Sequence, residues 1–205
     1  MTDQIEVDDL AEWARRSHVE PARLIVGICG PPGSGKSTIA SRVATEIDAA
    51  VVPMDGFHLP NAVLDARGWR AVKGAPHTFD ADAFVDAIRL LRADEADVSL
   101  PSFDRVIDEP VAEAVAIRRS ARRLVVEGNY LLLDDPPWAE LSDLFDATAY
   151  IDLDDDVRVG RLVARHIEFG KSPDEAREFV ERSDERNAGL VAASRGRTDV
   201  VVRAA

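Results

Sequence analysis

A single cysteine, Cys29, stands in a chain of 205 residues, so no disulfide can close within it and a reducing compartment is expected. Basic residues are scarce: 25 Lys and Arg face 38 Asp and Glu, for a net charge of -13. A nucleic-acid or anionic-membrane surface needs a basic face, and the shortage argues against both. The expected partner is a small molecule, and a homodimer stays open. No apolar run approaches the roughly 20 residues of a membrane-spanning helix, and no Pro/Gly/Ser-rich linker or internal repeat divides the chain. Met1-Thr2-Asp3-Gln4-Ile5-Glu6 is acidic where a signal peptide would be basic and then apolar. These absences predict one cytoplasmic domain over residues 1–205, and 46% hydrophobic residues supply its core.

What is present is organised around Gly30-Pro31-Pro32-Gly33-Ser34-Gly35-Lys36-Ser37, which matches G-x-x-x-x-G-K-[ST] at every fixed position. The apolar run Leu24 to Cys29 before it reads as a buried strand, and Cys29 as a small core residue. Ile39, Val43 and Ile47 after it have helical spacing. Gly30, Gly33 and Gly35 allow a loop to turn successive N–H groups inward around phosphate. A nucleoside triphosphate, taken as ATP, is expected on Gly30, Pro31, Gly33, Ser34, Gly35, Lys36, Ser37 and Thr38. Lys36 would reach the β- and γ-phosphates, Ser37 would hold Mg2+ through its hydroxyl, and the helix N-terminus would add partial positive charge.

Strand and helix patterns alternate along the rest of the chain. A short amphipathic helix is predicted over Asp8 to Arg16 and a strand over Ala49 to Met54, the latter read as lying beside the phosphate-loop strand and ending at Asp55. Residues 56–79 have no period and read as a functional loop. A helix starts at Asp80, and residues 98–105 and 113–117 suggest a small flap. The apolar strand Arg122 to Val126 runs into Glu127, and Ala149 to Leu153 forms another strand before a helix carrying Arg158, Arg161 and Arg165 on one side. At least one of these arginines should pair with Asp154, Asp155 or Asp156. Gly170 should stop that helix, Ser172-Pro173-Asp174-Glu175 opens the next with a capping box, and Val200 to Val202 forms a last strand. Asn187 and the turn Ser194 to Arg197 are placed to approach an adenine. The alternation predicts an α/β three-layer domain on a mostly parallel sheet.

Phosphoryl transfer requires a phosphate cradle, a metal, cations and a group that orients the nucleophile. Glu127 is the candidate second Mg2+ ligand, and Asp55 the candidate base for an attacking hydroxyl. Arg161 and Arg165 are the candidate closing cations. His58, Arg70, Lys73, Asp104, Arg105 and Tyr130, with Asp55, are the candidate acceptor contacts, His58 as a polar contact.

Gly30 to Thr38, Met54-Asp55-Gly56-Phe57, Lys73-Gly74-Ala75-Pro76 with Phe79-Asp80, Val125-Val126-Glu127-Gly128 and the arginine helix Val157 to Gly170 occur in an order that resembles the kinase family of uridine kinase, bacterial pantothenate kinase and phosphoribulokinase. The resemblance implies a P-loop NTPase fold, Asp55 as catalytic base, Glu127 on magnesium, and a lid over about residues 157–172 supplying Arg161 and Arg165. Acceptor-binding segments fall at about residues 55–80 and 100–117. Phe103, Arg105 and Asp108 stand where uridine and pantothenate kinases carry a tyrosine and a histidine. The expected acceptor is a hydroxyl of a nucleoside, a pantothenate-like alcohol or a sugar. A nucleotide-dependent switch, and a nucleotide kinase using Arg67, Arg70 and Arg105, are the competing readings.

Overall fold

The computed structural model describes residues 2–17 and 23–204. In chain order the elements are β1 (Asp3–Glu6), α1 (Leu10–Arg16), β2 (Leu24–Cys29), α2 (Lys36–Ile47), β3 (Ala50–Pro53), α3 (Asn61–Ala66), α4 (Ala81–Ala93), β4 (Val98–Asp104), β5 (Glu109–Ile117), β6 (Arg123–Gly128), β7 (Ala147–Asp152), α5 (Asp155–Glu168), α6 (Pro173–Phe179), α7 (Glu185–Ala193) and β8 (Val200–Arg203). Six strands form one sheet in the order β1-β8-β7-β2-β6-β3, and every pairing in it is parallel. Each crossover must then carry the chain back over a face of the sheet, which is why helices cover both sides. Among the described residues no helix is long and apolar enough to cross a membrane.

The central strands are apolar at nearly every position because both of their faces are covered. All six residues of β2 are buried. Its side chains alternate between two cores: Ile25 and Cys29 face one, while Leu24, Val26 and Ile28 face the other. The first core lies under α4 and the β4–β5 hairpin and contains Phe84, Ile88, Trp138 and Tyr130. The second lies under α1 and α2, through Leu10, Val43 and Ile47.

Local chemistry sets the helix ends. The Asp80 carboxylate accepts from the Ala83 N–H at 3.1 Å and opens α4. Ser172 and Glu175 form the expected capping box at α6, and Gly170, with φ +96°, follows the end of α5. The flap is the antiparallel β4–β5 hairpin, with an irregularity between Leu100 and Ser102 at Pro101, a residue that has no N–H to give to a ladder.

Two expectations change. β3 does not lie beside β2, because β6 pairs with both and separates them. Asp55 therefore sits one strand further from the glycine loop, and Glu127 ends the adjacent strand. β1 and α3 also add to the predicted elements. β1 is short and mostly exposed, and α3 is a six-residue helix inside the segment read as aperiodic.

Phe84 is fully buried, edge-on to Phe57 at 5.1 Å and tilted against Trp138 at 5.9 Å. Phe84→Ala should lower stability by about 3–5 kcal/mol, measured as a fall in the urea midpoint at unchanged slope.

Candidate active site

The glycine loop joins β2 to α2 at the carboxyl end of the sheet, where ligands of parallel sheets collect. Gly33 and Gly35 have φ of +81° and +84°, a region open to glycine and closed to most side chains. A Cβ on Gly33 would also meet the Arg158 carbonyl oxygen at 2.8 Å. The loop thus lies hard against α5. The Ser34 hydroxyl is buried, with no protein partner among the described residues.

A cleft of about 430 Å3 opens beside this loop. Lys36 and Ser37 form one wall, and Asp55, the residue just past β3, is another. Ser37 Oγ donates to Glu127 Oε2 at 3.0 Å, tying the loop to the end of β6. Burial, and the Asp55 carboxylate nearby, raise the Glu127 carboxyl above its ordinary range. A hydroxyl beside a carboxylate, both hard oxygen donors, is a set that Mg2+ accepts.

Asp55 shifts the other way. Burial opposes its charge, but His58 when protonated, Lys36, Arg105 and Arg165 more than offset burial and hold the carboxyl below the usual aspartate range. The Arg105 guanidinium, from the hairpin, reaches Asp55 Oδ2 at 2.9 Å. Burial lowers His58 despite the Asp55 charge, which leaves the ring neutral at pH 7. Its Nδ1 lies 2.7 Å from the Asp55 carbonyl oxygen, and its ring packs on Phe79 and Phe103 at centroid distances of 3.9 and 4.7 Å.

Gly56 allows the hairpin to come this close. A Cβ there would lie 2.2 Å from the Pro101 carbonyl oxygen, so β4 crosses directly over the backbone that carries Asp55. Lys73 fixes the other end of the hairpin: its ammonium donates to Asn61 Oδ1 at 2.7 Å and the Asp108 carbonyl at 2.5 Å, and pairs with the Asp108 carboxylate at 2.9 Å. Arg70 also lines the cleft and leans on Asp65 and Asp108 at 3.5 and 3.9 Å.

The three arginines of α5 divide. Arg165 lines the cleft, its pKa lowered by burial and by Arg105. Arg161 lies over the glycine loop, its Nη1 3.5 Å from where a Cβ on Gly35 would be. Arg158 is 1% exposed and bonds Asp155 at 3.0 Å, Glu185 at 2.6 Å and the Pro32 carbonyl at 3.3 Å. It clamps the lid to the loop and meets the expectation that one arginine would pair with the neighbouring aspartates.

Two expected contacts fall elsewhere, and the two adenine candidates face different clefts. Tyr130 is fully buried and donates its hydroxyl to the Gly74 carbonyl. It shares parity with Leu124 and Val126, and packs with them in the core rather than lining the cleft. Asp104 folds back onto the Val106 and Ile107 amides at 2.8 and 3.3 Å, shaping the hairpin turn. Asn187 lines the cleft beside Lys36 and Asp55, away from the Ser194 to Arg197 turn. Of that turn, Arg195 pairs with Asp152 at 2.6 Å beside a second cleft against Pro31 and Tyr150, and Arg197 pairs with Asp134.

The structure adds residues not singled out from the sequence. Asn129 lines the cleft, and the parity that sends Tyr130 inward could have placed it there, two residues past Glu127. His166 and Asp184 meet at 2.8 Å in the opposite wall. Asp184 arrives on a π-helical turn, Val180–Asp184, whose wider pitch a helical-wheel reading cannot register.

A family model described as "Phosphoribulokinase / Uridine kinase family" matches residues 25–205. The chain belongs to this family. Its relatives include "Putative uridine kinase C227.14" of Schizosaccharomyces pombe, 36% identical over 88% of this chain and 83% of that protein. "Uncharacterized protein YggC" of Escherichia coli is 35% identical over 88% of this chain and 77% of its own. Among solved structures, a "putative fructose transport system kinase" from Silicibacter sp. TM1040 superposes with a TM-score of 0.88, covering 96% of this chain and 98% of that one at 34% identity. YFH7 of Saccharomyces cerevisiae, at 19% identity and a TM-score of 0.83, shares the fold over 98% of this chain and 100% of its own. The protein is a P-loop kinase of the uridine and pantothenate kinase type, a phosphotransferase on a three-layer α/β/α fold.

Gly56→Ala should displace the hairpin and lower stability by about 1–3 kcal/mol. ATP binding by titration calorimetry should persist, because the loop and β6 lie on the far side of Asp55.

Proposed function

We propose that the protein transfers the γ-phosphoryl group of ATP to a hydroxyl of a small molecule, with Asp55 as the general base. The observation that supports this reading most is the placement of Asp55 in the same cleft as Lys36 and Ser37, held ionised by the surrounding cations. A carboxylate there can take the acceptor's proton as its oxygen bonds to the γ-phosphorus. The bond from that phosphorus to the bridging oxygen breaks, and ADP departs. Lys36, Arg161 and Arg165 face the charge that spreads over the transferred group. Ser37 and Glu127 would hold Mg2+, which neutralises phosphate charge. The Schizosaccharomyces relative bears the name of a kinase for a hydroxyl-bearing acceptor, in keeping with an alcohol here.

ADP release from Mg-ATP should rise with one pool among nucleosides, pantothenate-like alcohols and sugars, and Asp55→Asn should lower that rate about 10²- to 10⁴-fold. Turnover that ignores every pool and survives the substitution would sink this reading in favour of a nucleotide-dependent switch. Glu127→Gln should weaken ATP binding in Mg2+ and leave binding in EDTA unchanged.

The pH profile separates the two candidate bases. A base is active when deprotonated, so activity falls as pH drops through its pKa. With Asp55 depressed, kcat/KM should stay flat on the acid side from pH 7 to about pH 5. An acid limb that His58→Gln removes would assign the proton to His58 instead.

A further inference from the structure

We propose that Arg105 gates the base: while no acceptor is bound, its guanidinium occupies Asp55 and keeps water from being activated there, and the acceptor's hydroxyl displaces it. This rests on the kinase reading above and concerns what restrains the site between turnovers.

The need for a restraint follows from the cleft. Asp55 shares a space of about 430 Å3 with Lys36 and Ser37, a volume that admits water when the acceptor is absent. A carboxylate that takes a proton from an alcohol there can take one from water. The water oxygen would bond to the γ-phosphorus, its proton would pass to Asp55, the bond to the bridging oxygen would break, and ADP and inorganic phosphate would leave. ATP is then lost with no acceptor phosphorylated.

Arg105 stands where it can prevent this. Its guanidinium donates to Asp55 Oδ2 at 2.9 Å, and among the described residues no other side chain hydrogen-bonds that carboxylate. An oxygen that accepts from a guanidinium is poorly placed to accept from water, and the adjacent positive charge makes the carboxylate a weaker base. The hairpin turn holds its shape without this contact. Asp104 accepts from the Val106 and Ile107 amides at 2.8 and 3.3 Å, and Lys73 and Asn61 bond the Asp108 carbonyl at 2.5 and 2.8 Å. Of the charged residues in the turn, Arg105 is the one that reaches the base.

The strength of the pair suits a gate. The Arg105 and Asp55 side chains are 45% and 27% exposed, so water screens their attraction, and pairs of this kind hold weakly. A hydroxyl docking on Asp55 can therefore displace the guanidinium. The charge of Arg105 acts on Arg165 of the lid as like on like, which favours its departure. Val106 beside it is 87% exposed, so the turn offers little packing to oppose the swing.

The test reads inorganic phosphate released from Mg-ATP by the full chain with no acceptor present, so it does not depend on knowing the acceptor. Arg105→Met and Arg105→Gln should each raise that rate about 3- to 5-fold with the Kd for ATP unchanged, while Arg105→Lys, which keeps the charge, should stay nearer the parent. Adding Asp55→Asn to Arg105→Met should remove the increase. Matching thermal melts would show the variants folded, and a merely structural Arg105 would lower the melt without raising hydrolysis. An unchanged or lower rate in both uncharged variants overturns the gate, as does an increase that survives Asp55→Asn. A weaker Kd for ATP also overturns it, by placing Arg105 on the nucleotide. The kinase reading is tested apart: a pool that stimulates ADP release through Asp55 keeps it standing when the gate falls, whereas turnover indifferent to every pool and to Asp55→Asn removes both.

Discussion

Two carboxylates, Asp55 and Glu127, end neighbouring strands, and the charge of Asp55 acts on Glu127. Like charges this close in a half-buried site cannot both ionise without compensation. The rest of the site is that compensation, delivered from separate parts of the chain. Lys36 comes from the loop, Arg105 from the hairpin and Arg165 from the lid, and each acts on Asp55. Glu127 receives less positive charge and more burial, so its carboxyl is raised while that of Asp55 is depressed. Environments that push two acids apart are how a site assigns them different tasks. The arrangement suits a proton acceptor at Asp55 and a metal-facing oxygen at Glu127.

The parallel sheet makes this convergence possible. All six strands end at one rim, and the returning helices leave that rim open. Close approach supplies the precision: the glycine loop rests on the backbone of α5 at Gly33, and the hairpin on the backbone of Gly56. Arg158, although part of the lid's arginine row, spends its guanidinium on joining α5, the loop and α7. Lys73 does the same for the hairpin and α3. Both are cations beside a phosphate site whose work is to hold backbone in place.

Much of this was legible in the sequence. The loop motif, the strand ending at Glu127, the capping box at Ser172 and the α/β alternation depend on local spacing, and spacing survives folding. Strand order does not, since β6 inserts between β2 and β3 although some seventy residues of chain separate it from β3. Tyr130 was misplaced for a smaller reason: strand parity continues past the end of β6 and turns the ring into the core with Leu124 and Val126. Asp104 shows a third kind of limit. An aspartate can either face a ligand or bond its own turn, and only the hairpin geometry reveals that it does the latter. Asp184 was invisible because a single π turn breaks the 3.6-residue period by which helical faces are read.

The edge of the sheet has a consequence for how the molecule is made. Among the described residues β1 pairs with β8 and with no other strand, Asp3 opposite Val200. The place of β1 in the sheet is thus defined by a strand far along the chain. Until β8 emerges, β1 has no edge to join, and a contact so distant along the chain forms slowly. Docking of β1 is then a late event in synthesis, one that the phosphate loop, already framed by β2, β6 and β7, does not have to await.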